Sequence, residues 1–317
     1  MLEVYVSRKT PEADGVCSFE LIAANGAELP VFSAGSHVDV QVAPGLTRQY
    51  SLCNPPHERG RYLIAVLNEP ASRGGSRGMH NDIAQGSTLT ISAPRNLFDL
   101  DLSGERYLLF AGGIGITPIL AMTHALVAAG KPFELHYCGR ALERLAFIDL
   151  IDQQPFAEHV QLHVDNGPPA QRLDAARILV SPSQGDQLYV CGPSGFMAHI
   201  QNTAKACGWN DEQIHREDFA AAPQVLEGDQ PFEIELSRSG RILQVPAHQT
   251  ALEVLLEHDV EIESSCEQGI CGSCITPLLA GEPEHRDQWM SAAQHARNDS
   301  FTPCCSRSRS PRLVLDL

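Results

Sequence analysis

SCEQGICGSC, residues 265–274, sets three cysteines as Cys266-x4-Cys271-x2-Cys274, and Cys304 follows after 29 intervening residues. By this spacing one tight loop wraps three thiolates around a plant-type [2Fe–2S] cluster while the fourth arrives from a distant strand. Gly269 and Gly272 let the loop curl closely and aim backbone N–H groups at sulfur, which stabilises an anionic cluster. Two other readings use the same residues. A structural zinc site would also take thiolates, but zinc sites use paired C-x2-C knuckles and only one such pair is present. Buried free thiols are the remaining reading. Cys305 adjoins Cys304 in FTPCCSRSR. The 29-residue spacing favours Cys304 as fourth ligand, and in an extended segment its neighbour points to the opposite face.

Outward from that loop, five of the ten cysteines fall in the last 52 residues. The chain opens on an acid at Glu3 with no apolar leader behind it, so a cytoplasmic setting without disulfides is expected. With 317 residues, 43% hydrophobic and 20% charged, the composition is that of a globular protein of two or three domains. The net charge is −16, and −8 of it lies in residues 226–317. That excludes nucleic acid and anionic membrane as default partners. Residues 107–130 carry no Asp, Glu, Lys or Arg. They are long enough to span a bilayer, but Gly112, Gly113, Gly115 and Pro118 argue for a strand, a loop and a buried helix.

Residues 1–103 show short alternating runs (VCSFELIAA, SHVDVQVA, RYLIAVLN, STLTISAP) that read as an antiparallel β-barrel. Residues 104–225 alternate strands (YLLFAGG, FELHYCG, VQLHVD, LYVCGP) with helices (from Pro118, RLAFIDLIDQQ, SGFMAHIQNTAKACG), the mark of a parallel α/β sheet. Residues 220–230 have linker character. In residues 226–317, FEIELSRSGRILQVPA reads as a hairpin and TALEVLLEHDV as a helix.

Four constellations carry chemistry, the first of them in two stretches. In RQYSLCN (48–54), Arg48 can fork onto a phosphate, Tyr50 on the same strand face can stack on a flat ring, and Ser51 adds a hydroxyl. In SRGGSRG (72–78), Gly74, Gly75 and Ser76 can present amides as an anion nest, with Arg73 and Arg77 nearby. In AGGIGITPI (111–119), glycine amides and a helix start favour a pyrophosphate, with Thr117 expected to cap and Pro118 to enter the first turn. Pro118 stands where a dinucleotide fingerprint needs its third Gly, and Gly139-Arg140 where it needs an acid, so a standard Rossmann dehydrogenase is disfavoured. LYVCGPSGFM (188–197) places Cys191-Gly192-Pro193 at a sheet-end turn, where open α/β sheets bind ligands. HREDF (215–219) supplies Phe219, which alone reads as core.

RQYSL, GGS, GGIGITP, CGP and the cysteine tail, in this order, resemble the phthalate dioxygenase reductase family over essentially the whole chain. The resemblance implies an FMN-binding β-barrel (1–103), an NAD-binding α/β domain (104–225) and a β-grasp, plant-type [2Fe–2S] ferredoxin domain (226–317). It implies that Arg48, Tyr50 and Ser51 bind FMN, with Val66 and Leu67 along the ring, Gly74, Gly75 and Ser76 at the phosphate, and Phe219 stacked on the flavin. Thr117 would lie between flavin and nicotinamide, with Gly112, Gly113 and Gly115 at the NAD pyrophosphate and Cys191, Gly192 and Pro193 flanking the nicotinamide. Cys266, Cys271, Cys274 and Cys304 would hold the cluster, Cys304 matching the family's Cys-x-Ser-Arg ending. The implied function is the reductase component of a two-component Rieske-type aromatic oxygenase or O-demethylase, a monomer passing electrons from NADH to a non-haem iron oxygenase. No residue is nominated as acid–base catalyst. The alternatives are a reductase serving another oxygenase or a separate ferredoxin, and a zinc-containing redox-regulated binding module.

Overall fold

The computed structural model describes all 317 residues except 71, 73, 220–225 and 227. Arg73 and most of the stretch read as a linker, 220–230, therefore lie outside the described residues. The chain divides into two compact units, Met1–Asp218 and Phe219–Leu317. The boundary expected at 103/104 falls within the first.

The first unit opens with an antiparallel sheet of β1 (Leu2–Ala13), β2 (Val16–Ala23), β3 (Ser36–Ala43), β4 (Leu46–Ser51), β5 (Tyr62–Leu67), β6 (Thr88–Ile91) and the short β7 (Arg95–Asn96). Their order is β4-β3-β6-β1-β2-β5, with β7 beside β3. Leu52, just past β4, bridges Ile64 on β5 and closes the ring. The interior is filled by alternate residues, among them Val4, Val6, Phe19, Leu21, Val38, Val40 and Ile64, all fully buried. Helix α1 (Gly75–Asn81) follows β5.

The same unit continues with a parallel sheet ordered β10-β9-β8-β11-β12: β8 (Arg106–Gly112), β9 (Phe133–Gly139), β10 (Val160–Val164), β11 (Asp186–Cys191) and β12 (Ile214–Glu217). Helices α2 (Ile116–Ala128), α3 (Ile148–Asp152), α4 (Ala175–Ile178) and α5 (Ser194–Ala206) connect it. A chain that starts in the middle of a sheet and builds outward on both sides leaves a crevice where the order reverses, here between β8 and β11. One apolar cluster runs from Val16, Cys53, Leu63 and Ala65 of the barrel to Tyr107, Ile116, Leu120 and Tyr137 of the α/β layer. The two sheets thus share a core.

Two local expectations need correction. Helix α2 begins at Ile116 with Gly115 as its N-cap and no side-chain cap. Thr117 is inside the first turn, where its hydroxyl donates back to the Ile114 carbonyl at 3.0 Å. The long helix read over RLAFIDLIDQQ contracts to α3, because Phe147 takes a left-handed φ of 64° and only the residues after it can coil.

In the second unit, β13 (Phe232–Leu236) and β14 (Ile242–Val245) form the expected hairpin. Helix α6 (Ala251–Glu257) follows, its start fixed by a reciprocal capping box between Thr250 and Glu253. Next come β15 (Thr276–Ala280), β16 (Pro283–Glu284), α7 (Ala292–Arg297), β17 (Ser300–Phe301), β18 (Arg307–Ser308) and β19 (Arg312–Leu315). The sheet order is β14-β13-β19-β15-β17. β19 runs parallel to β13 and antiparallel to β15. The buried faces of Ile234, Leu243, Val254, Leu255, Phe301 and Leu313 pack together as its core.

Candidate functional site

In the first unit the glycines of two sequence-distant loops are pressed together at the carboxyl ends of β8 and β11. A Cβ on Gly115 would stand 2.2 Å from the Cys191 carbonyl oxygen, and one on Gly192 would stand 2.9 Å from the Gly112 Cα. A Cβ on Gly112 would enter the Phe196 ring at 2.8 Å and lie 3.0 Å from Pro193 Cδ. Only backbones without side chains can approach this closely. The structure therefore brings Gly112, Gly113, Gly115, Cys191, Gly192 and Pro193 to one place, the crevice at the switch point, with Thr117 buried beside them in α2.

Beside that crevice the barrel contributes Ser51, at the end of β4 and buried. Its hydroxyl lies 3.4 Å from Glu217 Oε2. Glu217 ends β12 and is paired in register with Cys191. Reading the sequence alone missed Glu217, because an acid in HREDF looks like any strand-end charge. Its burial and its pairing with Cys191 exist only once the sheet forms. Burial pushes its carboxyl up to about 8, against the opposing hydrogen bond from Ser51. Burial also drives the Cys191 thiol well up, with the Glu217 and Asp218 carboxylates adding to it, so Cys191 is a packed, protonated side chain.

Farther along the barrel, Arg48 and Tyr50 sit half-buried on β4, and burial raises the Tyr50 phenol. The stem of Arg48 crosses Gly75 so closely that a Cβ there would lie 2.4 Å from Arg48 Cγ. Arg48, Gly74, Gly75 and Ser76 are thus neighbours, with Gly74 at φ 96° as the N-cap of α1. The Ser76 hydroxyl accepts from the Glu69 N–H at 3.1 Å. Val66 and Leu67 end β5; Val66 is buried, and its carbonyl lies 2.8 Å from His80 Nε2. Phe219 is the first residue of the second unit and 40% exposed.

The second unit holds the cysteine loop between α6 and β15. Gly269 and Gly272 take φ of 76° and 71°. Gly269 needs its missing side chain, since a Cβ would meet Cys305 Sγ at 2.6 Å. The Gln268 N–H points at Cys266 Sγ at 3.3 Å and the Ser273 N–H at Cys271 Sγ at 3.5 Å. The thiols of Cys266 and Cys271 interact with each other, as do those of Cys274 and Cys304. The Cys271 thiol is held below its ordinary range, because Cys266, the Ser273 hydroxyl and two amides bond its sulfur. Two pairs of sulfurs, Cys266 with Cys271 and Cys274 with Cys304, with amides aimed at the first pair, fit an anionic iron–sulfur cluster.

The segment around Cys304 is a turn, so the opposite-face argument for an extended segment does not apply. The N–H groups of Cys305 and Ser306 both bond the Thr302 carbonyl, at 3.2 and 3.0 Å. Both neighbouring cysteines are consequently buried, packed with Leu252 and Cys274. They are separated by what they face: Cys304 meets Cys274, whereas Cys305 lies 3.4 Å from the Thr302 hydroxyl and over Gly269.

Comparison with known proteins agrees with this picture. Residues 234–309 match the family model of the 2Fe-2S iron-sulfur cluster binding domain. The chain is 51% identical, over all of both proteins, to vanillate O-demethylase oxidoreductase of Pseudomonas sp. strain HR199. It is 38% identical to phthalate dioxygenase reductase of Burkholderia cepacia, over 100% of this chain and 97% of that protein. A solved phthalate dioxygenase reductase, described as a modular structure for electron transfer from pyridine nucleotides to [2Fe–2S], superposes with a TM-score of 0.80 at 38% identity, covering 100% of this chain and 98% of that one.

Proposed function

The chain belongs to the family of vanillate O-demethylase oxidoreductase and phthalate dioxygenase reductase, and from that premise we propose that it carries electrons from NADH through FMN and a [2Fe–2S] cluster to a Rieske-type aromatic oxygenase of the O-demethylase kind. The observation that carries the reading is the meeting of barrel and α/β sheet at Ser51 and Glu217, beside the glycine crevice, in a chain that also holds a three-cysteine loop with Cys304 against it. The bound cofactors supply the redox chemistry: a two-electron donor, a carrier that accepts two electrons and releases them singly, and a one-electron acceptor.

The chain's own residues position these groups. Arg48 and the amides of Gly74, Gly75 and Ser76 would hold the FMN phosphate, and Tyr50, Val66 and Leu67 would flank the ring. Gly112, Gly113 and Gly115 would admit the NAD pyrophosphate, and Thr117, Cys191, Gly192 and Pro193 would hold the nicotinamide. The Ser51 hydroxyl donates to Glu217 Oε2, and burial keeps the Glu217 carboxyl protonated beside the crevice, which keeps negative charge away from it. Cys266, Cys271, Cys274 and Cys304 ligate the cluster. The domains assigned to these tasks are 1–103, 104–225 and 226–317. The proposed setting is the cytoplasm, where thiols stay reduced. Among the described residues no helix is long and apolar enough to cross a membrane. The protein is proposed to act as a monomer.

A visible spectrum before and after NADH tests the proposal. Flavin and iron–sulfur bands that bleach on NADH, with a higher specificity constant for NADH than for NADPH, are the expected result. A colourless second unit holding zinc would overturn it.

A further inference from the structure

We propose that His285, Asp287 and His295 form a binding site for a divalent first-row transition metal cation, in addition to the site of the four cysteines. One donor atom from each of the three lies within 4.8 Å of the others. His295 Nε2 stands 3.1 and 3.2 Å from the two Asp287 oxygens, and His285 Nδ1 stands 3.8 Å from Asp287 Oδ1. Donors about 2.0–2.1 Å from one ion stand roughly 3.3 Å apart in a tetrahedron, so small side-chain adjustments bring all three onto a single ion.

The second observation is an orphaned atom. The His285 side chain is 9% exposed, and its Nδ1 is buried with no hydrogen-bond partner. Its other nitrogen, Nε2, lies 3.3 Å from Asn298 Oδ1, which can only accept. The proton therefore belongs on Nε2, and Nδ1 turns a lone pair toward a carboxylate. Two electron-rich groups facing each other out of water repel unless a cation stands between them. An outer acceptor that fixes the tautomer of a histidine is also the usual support of a metal-bound imidazole.

The carboxylate is held for the purpose. The Asp287 side chain is wholly buried; Oδ2 accepts the Met290 N–H at 2.8 Å and Oδ1 the Thr302 hydroxyl at 3.3 Å. Arg286, between the two ligands in sequence, binds Asp229 and Glu284. Two imidazoles and one carboxylate suit zinc and its neighbours, and His295, part-exposed, leaves a position open to water. The His285 and His295 rings stack at 4.4 Å between centroids, so both come from one side of the ion.

Calorimetric titration of tag-free, iron-loaded full-length protein with Zn²⁺ tests the site. One saturable equivalent is expected in the native chain, with iron content and flavin reduction by NADH unchanged. His295→Ala should abolish that equivalent, while Asn298→Gly should weaken it about tenfold or more. Glycine suits the left-handed backbone at 298, where φ is 50°. Zinc-edge absorption on the native chain gives a readout that needs no variant: nitrogen and oxygen neighbours near 2.0 Å are expected. The proposal is overturned by no saturable binding, by equal binding in His295→Ala, or by a sulfur shell near about 2.3 Å, which would place zinc on cysteine.

Discussion

Cys304 and Cys305 share one turn and are both buried, yet only Cys304 meets a sulfur of the cysteine loop other than its neighbour's. Cys305→Ala should therefore keep two irons' worth of visible absorbance and most activity, whereas Cys304→Ala should lose cluster iron. FMN and its reduction by NADH should survive both changes, because Arg48, Ser51 and Glu217 belong to the first unit. Iron analysis of the two purified variants checks this, and the reverse pattern would show the ligand register to be off by one. Glu217 gives a second prediction. Its carboxyl is neutral below about 8 and charged above. A charge arriving next to the ring opposes the transfer of negative charge onto it. The rate of flavin reduction by NADH should thus be flat below that pH and fall above it. In Glu217→Gln, which keeps the shape without the titration, the rate should stay flat through pH 9. A stopped-flow pH profile that falls equally in both proteins would remove Glu217 from the site.

The elements at the crevice are built around absent side chains. Gly115 has an ordinary helical φ of −62°, so its requirement is purely one of space. Gly115→Ala should push the β8 and β11 loops apart, raising the KM for NADH tenfold or more and costing about 1–3 kcal/mol of stability from overpacking. Steady-state kinetics and denaturant unfolding measure both; an unchanged KM would count against the crevice as the nucleotide site. The sequence carried this region well because its signals are local: glycines after an apolar strand, then a run of helix formers. It carried β12 and β1 poorly. IHRE has no apolar alternation, and β1 contains Arg8, Lys9 and Pro11, residues that local rules place in loops. Both are strands because of neighbours far away in sequence, β11 for one and β2 and β6 for the other. Glu217 was illegible for the same reason: nothing within HREDF announces that its carboxyl will be sealed against Cys191.

Across the whole molecule the charge is lopsided, with −8 of −16 in residues 226–317. An acidic surface steers a basic partner through a field that salt screens within about 8–10 Å. Electron transfer to the terminal oxygenase should slow as ionic strength rises from low to physiological. A flat or rising rate constant would mean that the acids serve solubility alone. The order of strands bears on synthesis as well. β19, which joins β13 to β15, and Cys304 both come late, with 29 residues separating Cys304 from Cys274. At roughly 5–20 residues per second, a translating ribosome presents three of the four thiols for a few seconds before the fourth is made. The sheet that will cover them cannot assemble in that interval. Nascent chains are thus open to oxidants and stray metal at this loop, so loading of iron must follow translation, and cells short of iron–sulfur assembly capacity should accumulate this protein with its flavin in place and its last electron carrier missing.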